Sequence, residues 1–171
     1  MGRERMTNPF VCPVCNNTKC VPPSGNTRSP ILVVAEFPGK EEVNKGKPMV
    51  GRMGDVLRYE FGLLGVDLNR MRICNLWQHI PNGNEDCLKL GFETVIREAQ
   101  GKQAILLLGS ESVKAFCNEN VSKVCGLEVK SAYFSAPIVM ACVNPAVAFH
   151  SSIGELRLAL SKFSKKIEGL L

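Results

Sequence analysis

The chain contains no apolar run approaching the ~20 residues that cross a bilayer. Its opening, MGRERMTNPF, is charged and lacks the apolar core of a signal peptide. Met1-Gly2 is not followed by Ser or Thr at the myristoylation position, which argues against lipidation. There is no internal repeat and no low-complexity tract, and the polar stretches are too short to be linkers between domains. These absences argue against a membrane protein, a lipid-anchored protein and a repeat array. They lead to the expectation of one cytoplasmic, monomeric domain over residues 1–171, with no membrane partner.

What is present is globular in composition. Over 171 residues, 45% are hydrophobic and 22% are charged, enough to build a core. The net charge of +5 is mildly basic and fits a polyanion partner. Eight cysteines are many for a reducing compartment, where metal ligation and core packing are the first readings and disulfides are not.

Four apolar runs read as strands: Ile31–Ala35, Arg70–Asn75, Ala104–Leu108 and Pro137–Val143. Helical patterns lie between and after them, over 54–64, 87–100, 110–116 with Ser110 as N-cap, and from 153 to 160 or beyond with Ser152 as N-cap. Residues 1–11 read as an unordered start, and 118–136 as a short irregular strand pair. The alternation predicts an α/β fold, a three-layer α/β/α sandwich around a central four-stranded parallel sheet.

Residues 31–54, ILVVAEFPGKEEVNKGKPMVGRMG, stand out. A buried strand runs into a carboxylate, Glu36, then a Pro-Gly stop and a loop dense in Gly, Lys and Pro. A carboxylate at the carboxyl end of a parallel strand, followed by a long loop, is where α/β sheets place binding sites.

The order of motifs resembles the uracil-DNA glycosylase superfamily, most closely its bacterial and archaeal family 4, over most of the chain. That family opens with a CxxC pair, matched by Cys12 and Cys15. Its strand ending in Gly-Glu-Ala-Pro-Gly is matched by Glu36, Pro38 and Gly39, and its Glu, Gly and Pro-Phe-Val-Gly segment by Glu42, Gly46, Pro48, Val50 and Gly51. The Asn that ends its second strand is matched by Asn75, and the Leu-Gly that ends its third by Leu108-Gly109. Its His-Pro-Ser motif is met by Asn144-Pro145-Ala146.

The resemblance implies a DNA partner and an enzyme that takes a base out of the stack and cleaves its N-glycosidic bond. It implies Glu36 and Asn144 as catalytic residues, and Phe37, Met49 and Asn75 as base-binding. A side-chain amide can read a pyrimidine edge by pairing a donor with an acceptor. Lys47, Gly51, Arg52, Phe149 and His150 are the expected DNA contacts, with Phe149 as the wedge that fills the gap left by the flipped base. Lys40 and Lys45 flank the same loop. No lysine stands where it would form a Schiff base, so the expected product is an abasic site.

Family 4 also carries an iron–sulfur cluster on four cysteines. Aligned on Asn75, the resemblance puts the third ligand position on His79 and, if the intervening loop is shortened, the fourth on Cys87, with Cys12 and Cys15 in a metal-binding N-terminal segment of about residues 10–25. Cys74 and Cys20 are rival third ligands. A Cys3His set suits tetrahedral zinc as well as a cluster, so the expected cofactor is one structural metal centre, zinc or a 4Fe–4S cluster. The other cysteines, Cys117, Cys125 and Cys142, read as core or incidental, Trp77 as packing, and the lysine-rich end as a solvated helix face.

Three departures from the family pattern bear on the substrate. Met49 replaces the Phe that stacks on uracil, Asn144 replaces the His, and Phe37 replaces an Ala. A thioether is flexible and fills irregular space. The expectation is therefore a modified pyrimidine, for example a modified cytosine in phage DNA with an antiviral role. The alternatives are a conventional uracil-DNA glycosylase of base excision repair and an inactive DNA-binding homologue.

Overall fold

A computed structural model describes residues 11–150 and 153–171. The expectations of an unordered start and of Ser152 as a cap fall on, or mostly on, residues outside those described.

The elements in chain order are β1 (Ser24–Gly25), β2 (Ile31–Ala35), α1 (Lys40–Lys45), α2 (Arg52–Leu63), β3 (Arg72–Asn75), α3 (Glu85–Ala99), β4 (Ala104–Leu108), α4 (Ser110–Cys117), α5 (Val121–Val124), β5 (Ile138–Cys142), α6 (Val147–His150) and α7 (Gly154–Lys166). A 3-10 turn at Leu68–Arg70 leads into β3. The sheet runs β1-β3-β2-β4-β5. Strands β3, β2, β4 and β5 are parallel, and β1 adds antiparallel to the outer edge of β3 through Ser24 opposite Ile73.

The sheet is thus five-stranded and not four-stranded. The extra strand is two residues long, too short to carry any alternation, and forms only because the edge of β3 offers unpaired backbone groups. The strand pair expected over 118–136 is also replaced. A short helix, α5, forms there instead, capped by Asn120, whose side chain accepts the Ser122 N–H at 3.0 Å. One isolated bridge, Glu128 with Met140, ties the rest of the segment to β5. Helix α1 fills part of the predicted loop. Val43 is its single apolar residue, so no hydrophobic period announced it.

Alternation along β2 sends Ile31, Val33 and Ala35 to one side, where Leu57 and Phe61 of α2 and Leu156, Leu160 and Phe163 of α7 cover them. Leu32 and Val34 face the other side, against Val95 and Ala99 of α3 and Val113 and Phe116 of α4. The three layers follow from that alternation. Lys162, Lys165 and Lys166 are exposed along α7, as a solvated face requires.

The chain leaves β2 for β3 on one flank and then crosses to β4 on the other. The switch point between β2 and β4 therefore opens a crevice at the carboxyl ends of the strands, where α/β sheets bind ligands.

Candidate functional site

Glu36 follows β2 directly and sits in that crevice. Its Oε2 accepts the backbone N–H of Glu111 at 3.0 Å, in the first turn of α4. Its Oε1 accepts Nδ2 of Asn144 at 2.7 Å. The carboxylate is oriented from two sides by groups 75 and 108 residues away in sequence. The same contact corrects the expected cap of α4. Gly109 holds the cap position and no side chain of its own segment bonds there, so the carboxylate of Glu36 takes an N-terminal N–H that Ser110 was expected to take.

Gly109 is required for this. Its φ is +91°, and a Cβ at that position would stand 2.0 Å from Oε1 of Glu36. The sequence signal was a glycine directly after a buried strand, but its partner could not be read from it.

Asn75 ends β3 in register with Ala35. Backbone bonds from Leu76 N–H to the Ala35 carbonyl and from Trp77 N–H to the Glu36 carbonyl, both 2.8 Å, carry the pairing past the strand and fix Asn75 beside the carboxylate. Asn75 is 2% exposed, and its Nδ2 has no hydrogen-bond partner. A buried amide donor without a partner costs about 1–3 kcal/mol, so it marks a place where a ligand acceptor belongs.

Both residues line one cavity together with Ala35, Phe37, Glu42, Met49, Met53, Leu108, Asn144 and Pro145. Its free volume is about 20 Å3, room for a single water. A flipped base needs more, and the movable walls are the thioethers of Met49 and Met53. Met49 is buried with φ +55°, left-handed backbone in a non-glycine residue. Two features hold it there. Its carbonyl accepts Nη1 of Arg58 at 2.7 Å, and Gly54 leaves the space that the carbonyl occupies, since a Cβ would lie 1.9 Å from it. Met53 and Glu42 are pocket residues to which the sequence reading gave no role. Buried Glu42 closes the loop by accepting the Gly51 N–H at 3.2 Å.

The expected DNA contacts fall into two groups. Lys47, Arg52, Phe149 and His150 are exposed. The Arg52 guanidinium lies 4.3 Å over the centre of the Phe149 ring, joining the start of α2 to α6. Gly51 is buried, and its N–H is already given to Glu42. Phe37 is 41% exposed at the cavity mouth. No lysine lines the cavity among the described residues.

On the opposite side of the sheet, Cys12, Cys15, His79 and Cys87 bring four donor atoms within 4.8 Å of one another, a group that could hold a metal ion. Cys12 Sγ lies 3.8 Å from Cys87 Sγ, and Cys15 Sγ lies 3.5 Å from Nε2 of His79. Nδ1 of His79 bonds the Ile80 carbonyl at 2.9 Å, which orients the ring and turns Nε2 toward Cys15 Sγ. Burial pushes the Cys87 thiol up to about 12, with hydrogen bonds from Cys15 and Cys12 adding to the rise. At Cys12 burial also acts upward, but hydrogen bonds from Cys15, Val14 and His79 outweigh it and lower the thiol to about 7. The rivals stay outside the group. Cys74 is fully buried, with burial raising its thiol, and Cys20 Sγ donates to the Asn17 carbonyl at 3.4 Å. Trp77 is buried in the same apolar cluster, as a packing residue should be.

The chain is similar to known proteins over most of its length. The model of the uracil DNA glycosylase superfamily matches residues 22–163. The Type-4 uracil-DNA glycosylase of Thermotoga maritima is 35% identical over 164 residues, covering 90% of this chain and 84% of that protein. The Type-4 uracil-DNA glycosylase of Sulfurisphaera tokodaii is 28% identical over 167 residues, covering 90% of this chain and 75% of that one. A family model that matches residues 22–163 and a relative 35% identical over 90% of this chain show one membership: the chain belongs to the uracil DNA glycosylase superfamily.

Proposed function

We propose that the protein is a monofunctional DNA glycosylase that draws a base out of the duplex and hydrolyses its N-glycosidic bond, leaving an abasic site. The observation that carries this is the unpartnered Nδ2 of Asn75 in the cavity that also holds the doubly oriented Glu36. Cleavage puts positive charge on the sugar and negative charge on the leaving base. The carboxylate of Glu36 favours the sugar cation and orients the water that adds to the anomeric carbon. The amide of Asn75 donates to the base as charge builds on it. Asn144 gives one amide hydrogen to Glu36 and accepts the Ala146 N–H at 2.9 Å, so it positions the carboxylate and keeps a second hydrogen for water or base. Lys47, Arg52 and His150 supply phosphate contacts, and Phe149 fills the gap in the stack. The Cys12, Cys15, His79 and Cys87 group binds one structural metal centre, which pins the N-terminal segment to the loop after β3 and takes no part in the chemistry.

The preferred base is a modified pyrimidine, such as a modified cytosine in phage DNA, which would give the enzyme an antiviral role in the cytoplasm. Support comes from the two thioethers that wall the cavity, since their side chains can rotate to admit a substituent that a fixed ring would block. A second reading, excision of plain uracil in base repair, is favoured by the names of the relatives. Oligonucleotides bearing uracil, hypoxanthine and modified cytosines, scored by strand cleavage after alkali, separate them. Faster release of a modified cytosine than of uracil is the expected result, and Met49→Phe shifts the ratio toward uracil by about tenfold. Equal or faster release of uracil by the unaltered protein overturns the modified-base reading. Binding without release of any base overturns the enzyme reading.

A further inference from the structure

We infer that Cys12, Cys15, His79 and Cys87 hold a single tetrahedral zinc ion, and that the 4Fe–4S cluster implied by the family resemblance does not fit here. The inference rests on the metal-centre reading above and goes beyond it by fixing the kind of centre.

The distances decide between the two. Two thiolates bound at ~2.3 Å to one ion with tetrahedral angles stand ~3.8 Å apart, and a thiolate and an imidazole nitrogen ~3.6 Å apart. Cys12 and Cys87 are separated by 3.8 Å, and Cys15 and His79 by 3.5 Å. All four donors fall within 4.8 Å of one another. A cubane cluster binds each ligand to a different iron at a different corner, which spreads the donors to roughly 6 Å or more. The spacing here leaves room for one ion at the centre and none for a core of irons and sulfides.

The donor chemistry agrees. One imidazole with three thiolates is an ordinary structural zinc set, and a closed four-ligand site has no open position for catalysis. The Ile80 carbonyl accepts from Nδ1 of His79 and aims Nε2 at the centre, the outer hydrogen bond expected of a metal-bound histidine. Cys12, His79 and Cys87 are buried, and Cys15 partly so, which suits a structural site.

The test uses the full chain, purified without oxygen from cells supplied with both iron and zinc. Zinc, iron and acid-labile sulfide are measured per chain, and the visible spectrum is recorded. The expected result is one zinc per chain, negligible iron and sulfide, and no colour. Exchange with cobalt(II) then gives the intense visible bands of a tetrahedral sulfur-rich site. His79→Cys keeps the ion and moves those bands to longer wavelength, as a fourth thiolate requires. About four irons with matching sulfide per chain would overturn the single-ion inference while leaving a metal centre in place. Iron without sulfide would overturn zinc. A chain that binds neither metal would overturn the metal centre itself. None of these readouts depends on base excision, so they stand or fall apart from the glycosylase reading.

Discussion

The two sides of the sheet carry two different kinds of site. On the side covered by α2 and α7, the cavity ends in a polar group that is left waiting, Nδ2 of Asn75, and in thioethers that can move. On the side covered by α3 and α4, four donors already converge on one point. A site that binds and releases a ligand holds unpaired polarity and soft walls, at a cost in stability. A structural site satisfies its groups within the fold and contributes stability. The same sheet supports both because different helices cover its two faces, and the four donors come from the N-terminal segment, the loop after β3 and α3, none of them from a strand.

This contrast can be broken at four places, in order of expected effect. Glu36→Gln keeps the shape and removes the charge, and single-turnover excision should fall by about 10²–10³ with an unchanged circular dichroism spectrum. Retention of activity within threefold would remove Glu36 from the chemistry. Cys87→Ala removes one donor of the proposed metal group. A metal ion at a free concentration 100 times its Kd contributes about 2.7 kcal/mol, so the thermal midpoint should drop by roughly 5–11 °C, and a chelator should do to the unaltered protein what the mutation does. An unchanged midpoint in both would show that the four donors hold nothing.

Asn75→Ala gives the opposite balance. Stability should change by less than ~1 kcal/mol in a urea titration, because the amide Nδ2 has no partner to lose, while excision falls by about 10- to 100-fold, the worth of a hydrogen bond to a charging base. A large loss of stability would make Asn75 a structural residue after all. The smallest effect is expected at Arg52→Ala. DNA binding should weaken to a similar extent across sequences, and the slope of log affinity against log salt should become shallower by about 1. An unchanged slope would place Arg52 away from phosphate and leave it only its stacking on Phe149.

Much of the fold was legible from local pattern. β2 and β4 keep their expected bounds, because each is a short, unbroken apolar run set between turn residues, the pattern of a strand buried on both faces. Helices α2, α3 and α7 appear where apolar periodicity put them, with ends moved by a turn or less; α3 starts two residues early, at Glu85, behind its cap Asn84, whose side chain accepts the Asp86 N–H. What escaped was whatever carried no period. β1 exists only as an edge pairing, α1 has one apolar residue, and α5 owes its start to a side-chain cap.

For the sites, the sequence alone determined the chemical types and their positions at strand ends: a carboxylate after β2, an amide ending β3, a second amide after β5, and a cysteine pair ahead of them all. Tertiary structure decided what those groups do to one another. It turned Asn144 toward Glu36, gave an N-terminal N–H of α4 to that same carboxylate, and made Gly109 indispensable to a residue it never neighbours in sequence. It also drew His79 into the cysteine group and left Cys20 and Cys74 out. The physical reason is range. Period, propensity and turn chemistry act over a few residues, whereas hydrogen bonds and metal coordination act over a few ångströms, and only the folded sheet converts the one separation into the other.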